Sequence, residues 1–167
     1  GCPINQDVPQ YLRLVGEGKY LEAFKVIVDR NPLPFITGTI CNHRCMSKCT
    51  RNFYEDSIRI RDMKLVAAQS AFDTFIKSIK KEELPSHKTV AIVGGGPAGL
   101  SAAYFLSRNG VGVTIFDKNS KLGGTVASAI PDFRIPMSSI ENDVKLIMSM
   151  DMNIELNTEI KSYKDLK

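Results

Sequence analysis

In the first half of the chain, apolar residues recur at helical spacing, and glycine and proline interrupt them. Leu12, Leu14 and Val15 follow Asp7-Val8-Pro9, which reads as an N-cap with a proline in the first turn. Gly16-Glu17-Gly18 breaks that helix. A second is predicted from Lys19 to Arg30, with Leu21, Phe24, Ile27 and Val28 on one side. Asn31-Pro32-Leu33-Pro34 stops it, because proline lacks an N–H and restricts its predecessor. Residues 35–56 show little periodicity and are read as a loop. A third helix is predicted from Ser57 to Lys81. There Met63, Ala67, Ala71, Phe75 and Ile79 recur every four residues, beside Val66, Ala68, Phe72 and Ile76.

The segment from Glu82 to Lys88 reads as a linker, and the pattern after it alternates between strand and helix. Thr89 to Val93 is a short apolar run that ends at glycine. Pro97 to Asn109 reads as a helix closed by Gly110, and Val113 to Phe116 as the next strand. Ser138 to Met150 is a further helix, with Ser138 and Glu141 spaced as a capping box. Asn153 to Leu156 is a third strand. This order implies parallel strands. The expected organisation is an all-helical domain over residues 1–84 and a Rossmann-like α/β domain over residues 85–167.

Composition narrows the classes without choosing among enzymes. The 167 residues are 43% hydrophobic, 24% charged and 8% aromatic, which is ordinary for a globular chain. Lys plus Arg is 22 against 18 for Asp plus Glu, an excess too small to argue for nucleic acid. Apolar runs fall short of the ~18 residues a membrane span needs. The chain opens on Gly1, with no charged-then-apolar leader, so it is expected to be a soluble, cytoplasmic fragment.

Two motifs carry chemistry. In Val93-Gly94-Gly95-Gly96-Pro97-Ala98-Gly99, the residues Gly94, Gly96 and Gly99 satisfy G-x-G-x-x-G between a predicted strand and a predicted helix. Asp117 ends the second strand, where a carboxylate accepts hydrogen bonds from ribose hydroxyls and repels a 2′-phosphate. The helix N-terminus turns free N–H groups and partial positive charge toward a pyrophosphate. A second glycine turn, Lys121-Leu122-Gly123-Gly124-Thr125, comes soon after the acid, as in FAD-binding flavoproteins. Arg134, beyond it, offers a planar cation to a phosphate.

Cys41, Cys45 and Cys49 are spaced C-x3-C-x3-C, and Cys2 lies far upstream. Such close spacing outside a secreted chain points to metal. With His43 inside the run, zinc stays open, while thiolates alone suit an iron–sulfur cluster better.

Cys2-Pro3, Asp7-Val8-Pro9, Asn31-Pro32-Leu33-Pro34, Gly38 and Cys41, Cys45 and Cys49 together resemble the N-terminal iron–sulfur region of the glutamate synthase small subunit, which dihydropyrimidine dehydrogenase shares. The second half continues the resemblance through Gly94 to Gly99, Asp117, Leu122-Gly123-Gly124 and Ile130-Pro131-x-Phe133-Arg134-x-Pro136. Leu122 to Val126 and Ile130 to Pro136 are most similar to the selenate reductase iron–sulfur subunit branch. The resemblance implies an alpha-helical ferredoxin-like domain with 4Fe–4S clusters, then a truncated Rossmann-like FAD domain with the NADPH site outside this chain.

By position, the resemblance places Cys2, Cys41 and Cys45 on one cluster. Cys49 falls to a second cluster, whose other cysteines lie upstream in the family, so the chain as given is not expected to complete it. The family's fourth ligand to the first cluster, at times Gln or Glu, falls at Lys64. Gly94, Gly95, Gly96, Pro97, Ala98 and Gly99 fall at the FAD pyrophosphate, and Asp117 and Lys118 at the ribose. Leu122, Gly123, Gly124, Thr125 and Arg134 follow along the cofactor. Ile160, at the end of the third strand, falls at the adenosine through its backbone.

The expected function is therefore a fragment of an oxidoreductase that passes electrons from NADPH through FAD and 4Fe–4S clusters to a partner domain or subunit. No side chain stands out as a catalytic acid or base, and the fragment alone is expected to turn over little or not at all. Two alternatives fit the same residues: a noncatalytic zinc-binding interaction module with a degenerate nucleotide site, and an NAD-dependent dehydrogenase fragment.

Overall fold

The computed structural model describes residues 1–79 and 88–166. It divides into two compact units, Gly1–Ser78 and Ile79–Lys167. The expected boundary at 84/85, and the linker up to residue 87, lie outside the described residues.

The first unit is helical. Helix α1, Val8–Gly16, starts where Asp7 accepts a 3.1 Å hydrogen bond from the Gln10 N–H. Helix α2, Tyr20–Val28, buries Ala23, Phe24, Ile27 and Val28. The long helix α5, Ile60–Ser78, turns Ile60, Lys64, Ala67, Ala68, Ala71 and Phe72 inward. Its alanines let neighbouring helices approach closely, since side-chain size sets the distance between axes. Phe75 and Phe72 then meet Phe24 and Phe35 edge-on, at centroid distances of 5.0 and 5.1 Å.

The stretch expected as a loop over 35–56 is not one. It holds α3, Pro34–Ile40, then a single turn, α4, Arg44–Ser47, and a 3-10 turn, Thr50–Phe53. Pro34 is the reason for α3. It ends the preceding segment, yet its fixed φ also suits the first turn of a new helix. Asn31, 2% exposed, braces that start: its side chain accepts from the Leu33 N–H and donates to Thr37 Oγ1 at 2.7 Å.

The second unit carries a three-stranded parallel sheet in the order β1-β2-β3, made of Thr89–Val93, Gly112–Phe116 and Asn153–Glu155. Ile92 pairs with Ile115, and Ile115 with Ile154. Helix α6, Pro97–Arg108, packs on β1 and β2 through Leu100, Ala103 and Tyr104. Helix α8, Met137–Met148, adds Ile140, Leu146 and Ile147 to the core. A short helix absent from the sequence reading, α7, Gly124–Ser128, sits between them in the chain.

The Ser138 capping box does not form. Pro136 is the N-cap, so Ser138 already lies inside α8. β3 ends at Glu155, which leaves Ile160 in the loop beyond the strand rather than at its end.

Candidate functional site

Each unit carries one candidate site. In the helical unit the cysteines divide three and one. Tyr11 is 1% exposed, and its phenol is raised well above its ordinary range, first by burial and then by the charges of Cys45, Cys2 and Cys41. The charges of all three thiols thus reach one phenol, although 39 residues separate Cys2 from Cys41 in sequence. Burial also raises the Cys45 thiol, and the charges of Cys2 and Cys41 add to it against an opposing hydrogen bond from the Met46 amide. Cys45 packs on the apolar cluster of Tyr11, Leu14, Ile27, Ile60 and Ala67.

The segment around Cys41 is anchored locally. The His43 N–H donates to Cys41 Sγ at 3.4 Å, and Arg61 donates to the Cys41 carbonyl at 3.3 Å. His43 has φ +42 and is the N-cap of α4. Cys49 answers to other neighbours. The Ile58 and Arg51 amides hold its thiol below the ordinary range, and the Arg51 guanidinium assists against a smaller opposing effect of burial. Among the described residues, no three His, Cys, Asp or Glu side chains form a group that would hold a single metal ion. The chemistry of the gathered donors is thiolate throughout, which suits an iron–sulfur cluster. Lys64 is 5% exposed on α5.

In the α/β unit the glycine turn follows β1. Gly94 has φ +101, and its N–H reaches the Phe116 carbonyl at 2.7 Å, so the turn stays tied to β2. A Cβ at Gly99 would overlap the Gly94 carbonyl oxygen, which explains the glycine on the first turn of α6. Gly96 caps α6 with no side-chain partner, which leaves the first helix amides for a ligand.

The second glycine turn lies directly against the first. The Gly123 N–H donates to the Gly95 carbonyl at 2.8 Å, and a Cβ at Gly124 would stand 2.7 Å from the Gly96 Cα. Leu122 covers Gly95 from the side. The two turns thus form one glycine-lined cradle at the start of α6, whose residues fit a pyrophosphate by backbone alone. Beyond Leu122 an open groove of about 830 Å³ runs between α8 and β3, lined by Ile140, Val144, Met148, Ile154 and Leu156.

Asp117 is 5% exposed, and its carboxylate points back into the cradle. Oδ2 accepts from the Gly95 N–H at 2.6 Å. Oδ1 accepts from the backbone and side chain of Asn119 at 2.8 and 2.9 Å. Burial opposes its charge, but these donors and nearby Lys118 outweigh that, and the carboxyl lies below its ordinary range. A carboxylate has about four lone-pair sites, so Oδ2 keeps capacity for one more donor. Lys118, Thr125 and Arg134 are exposed, and Ala98 is exposed at the start of α6. Tyr11 and Asn119 were missed as site residues. Asp117-x-Asn119 carried a signal, since an acid two residues ahead of a backbone donor makes an Asx turn. Tyr11 carried no such signal.

Residues 1–77 match the family described as dihydropyrimidine dehydrogenase domain II, 4Fe–4S cluster, and residues 92–140 match the NAD(P)-binding Rossmann-like domain. The chain is 42% identical over 155 residues to "Putative oxidoreductase YgfK" of Escherichia coli strain K12, covering 92% of this chain and 15% of that protein. It is 34% identical over 161 residues to the NADPH-Fe(3+) oxidoreductase subunit beta of Geobacter sulfurreducens strain DL-1/KN400, covering 95% and 24%. It is 30% identical over 161 residues to the glutamate synthase [NADPH] small chain of Escherichia coli strain K12, covering 95% and 34%. The chain thus spans between 15% and 34% of the length of these relatives. Among the described residues, no helix is long and apolar enough to cross a membrane.

Proposed function

We propose that this chain, whose two halves match a dihydropyrimidine dehydrogenase 4Fe–4S domain and an NAD(P)-binding Rossmann-like domain, is the electron-input part of a longer NADPH-dependent oxidoreductase. One observation supports the reading: the charges of Cys2, Cys41 and Cys45 reach the same phenol in one half of the chain, and two glycine turns pack on each other at the start of α6 in the other. When bound, FAD divides the two electrons of an NADPH hydride, and a 4Fe–4S cluster relays them singly to a partner domain or subunit.

The residues of this chain bind and orient. Cys2, Cys41 and Cys45 supply the thiolates of one cluster, and Cys49 belongs to a separate one. Gly94, Gly95, Gly96, Pro97, Ala98 and Gly99 leave the cradle bare, so that backbone amides and the start of α6 face the pyrophosphate. Asp117 holds the Gly95 amide in place and, with Lys118, takes the ribose side. Leu122, Gly123, Gly124 and Thr125 close the cofactor from above, Arg134 offers a cation to its phosphates, and the Ile160 backbone takes the adenosine. The paired glycine turns favour FAD over a nicotinamide cofactor at this cradle. A second turn packed on the first extends the backbone surface along a longer ligand.

The test is anaerobic purification with iron and sulfide reconstitution, followed by iron, acid-labile sulfide and zinc analysis and by titration with FAD and NAD. Iron with sulfide, and FAD bound in preference to NAD, is the expected result. Stoichiometric zinc without sulfide would place the helical unit in a different class, and NAD binding without flavin would make the second unit a dehydrogenase fold.

A further inference from the structure

A cation in the first turn of a helix meets the positive end of that helix's own dipole and gains nothing from it. Arg61 has that place, as the second residue of α5. Its ion pair with Asp62 is loose, with Nε 3.7 Å from Oδ1, and Asp62 makes its closer bond to Arg59, at 2.6 Å. What Arg61 does reach lies on another element: Nη1 donates to the Cys41 carbonyl at 3.3 Å, across 20 residues. Cys41 is the C-cap of α3, where carbonyls leave the helix ladder and carry partial negative charge. The guanidinium thus stands at the unfavourable end of its own helix and at the favourable end of its neighbour. Among the described residues, that carbonyl is its one hydrogen-bond acceptor, since Nε is buried and has none. A buried N–H without an acceptor costs stability, so α5 alone does not account for this arginine.

Cys41 is held at three atoms. Its N–H donates to the Thr37 carbonyl at 3.3 Å, its carbonyl accepts from Arg61, and its Sγ accepts from the His43 N–H at 3.4 Å. The first partner belongs to α3 and the last lies two residues on, so among the described residues the Arg61 bond is the one that ties Cys41 to a different helix. That helix is a firm base, because Leu65 of α5 packs against Gly38 of α3. At Cys41 the backbone turns extended, with ψ 137, and the carbonyl bond fixes the peptide that follows the thiol. We propose that Arg61 is a positioning residue for Cys41: its guanidinium clamps the Cys41 carbonyl to α5 and so seats the Cys41 thiolate for an iron–sulfur cluster. The inference rests on the reading that a cluster binds through Cys41. Partners outside the ligand set commonly orient the ligands of a metal site, and their loss weakens metal binding.

The full chain is prepared as the native sequence and as Arg61→Met, Arg61→Lys and Arg59→Met. Arg59→Met is the control, since it removes a neighbouring cation that bonds Asp62 and leaves the Cys41 carbonyl untouched. Hydrogen exchange of the cluster-free chains comes first. Arg61→Met is expected to lose protection at the amides of Cys41 and His43 and to keep it along the rest of α5. The chains are then reconstituted anaerobically, iron and sulfide are counted, and loss of iron to a ferrous chelator is timed. Arg61→Met should release iron about fivefold faster than the native chain, the order expected for one bond from a charged donor. Arg61→Lys, which keeps a charged donor, and Arg59→Met should stay near the native rate. A native rate in Arg61→Met overturns the inference, as does equal quickening in Arg61→Lys or Arg59→Met. Loss of protection throughout the helical unit overturns it too, because Arg61 then supports the fold and not the seat of Cys41. A native chain that takes up no iron with sulfide defeats the cluster reading and the role given to Arg61 with it. The exchange measurement, made without iron, separates that failure from the absence of the clamp.

Discussion

The Asp117 carboxylate accepts a 2.6 Å hydrogen bond from the Gly95 N–H, so the acid that ends β2 holds the glycine turn that ends β1. The bond is buried, and its loss leaves an amide with no acceptor. Asp117→Ala is therefore expected to destabilise the α/β unit by about 2–3 kcal/mol. Hydrogen exchange followed by mass spectrometry should show loss of protection in peptides spanning residues 93–100. Protection equal to the native chain would mean that the carboxylate is not what holds the turn.

The same carboxylate sets a pH dependence. Its folded value lies below its ordinary one, so ionisation stabilises the fold. That contribution is complete above the unfolded value of about 4 and is lost as pH falls through the lower folded value. The stability difference between the native chain and Asp117→Asn, measured by urea unfolding, should shrink on going from pH 6 toward about pH 3. A constant difference across that range would rule out the carboxylate as its source.

The cradle can be separated into positions that keep the fold and a position that keeps the ligand. A Cβ at Gly124 would stand 2.7 Å from the Gly96 Cα, and Gly124 already has φ +54. Gly124→Ala should thus lower stability by about 1–3 kcal/mol as the two turns are forced apart. A Cβ at Gly96 meets nothing nearer than the Gly124 Cα at 3.7 Å, an ordinary contact. Gly96→Ala should leave the melting temperature near that of the native chain and weaken FAD binding at least tenfold. If both variants bind FAD as the native chain does, the dinucleotide lies elsewhere.

Elements that repeat an apolar face were legible in the sequence, whereas α3 and α7, which start where proline or glycine was read as a break, were not. The pattern of Met63, Ala67, Ala71 and Phe75 gave α5 its place, and Val90 to Val93 gave β1. Pro34 was read as a stop, because one proline both closes a segment and opens α3. Gly123 and Gly124 hid α7, since glycine carries no helical signal. Ser138 and Glu141 had the spacing of a cap, yet the N-cap of α8 is Pro136, two residues earlier. The turn between β1 and α6 was legible from the G-x-G-x-x-G of Gly94 to Gly99. The Asp117 to Gly95 bond was not, because it depends on the pairing of Val93 with Phe116 across two strands. The reach of the Cys2, Cys41 and Cys45 charges to the Tyr11 phenol depends on tertiary packing too.

In the cluster-free protein the four cysteines should differ in reactivity. The amides of Ile58 and Arg51 hold the Cys49 thiol below its ordinary range, and burial raises Cys45. The thiolate is the nucleophile, so alkylation follows the thiolate fraction and access. Iodoacetamide at neutral pH, with each site followed by peptide mass spectrometry, should label Cys49 first and Cys45 last. Equal rates at the two sites would remove the electrostatic distinction between the three gathered thiols and the fourth.

Gly38 links the packing of the helical unit to its site. It lies on α3, whose C-cap is Cys41, and a Cβ there would stand 3.1 Å from Leu65 Cβ and 3.3 Å from Leu65 Cα. Leu65 follows the buried Lys64 on α5, so α3 and α5 touch three residues ahead of Cys41. The Leu65 backbone cannot swing aside as a side-chain tip would, and overpacking of this kind costs about 1–3 kcal/mol. Gly38→Ala should lower the melting temperature and also reduce the iron retained after reconstitution, because Cys41 moves with α3. Gly16→Ala is the control, since a Cβ at Gly16 meets no atom within 4 Å. It should keep both the melting temperature and the iron. A Gly38→Ala chain that melts lower but holds as much iron as the native chain would show that the seat of Cys41 does not depend on the contact between α3 and α5.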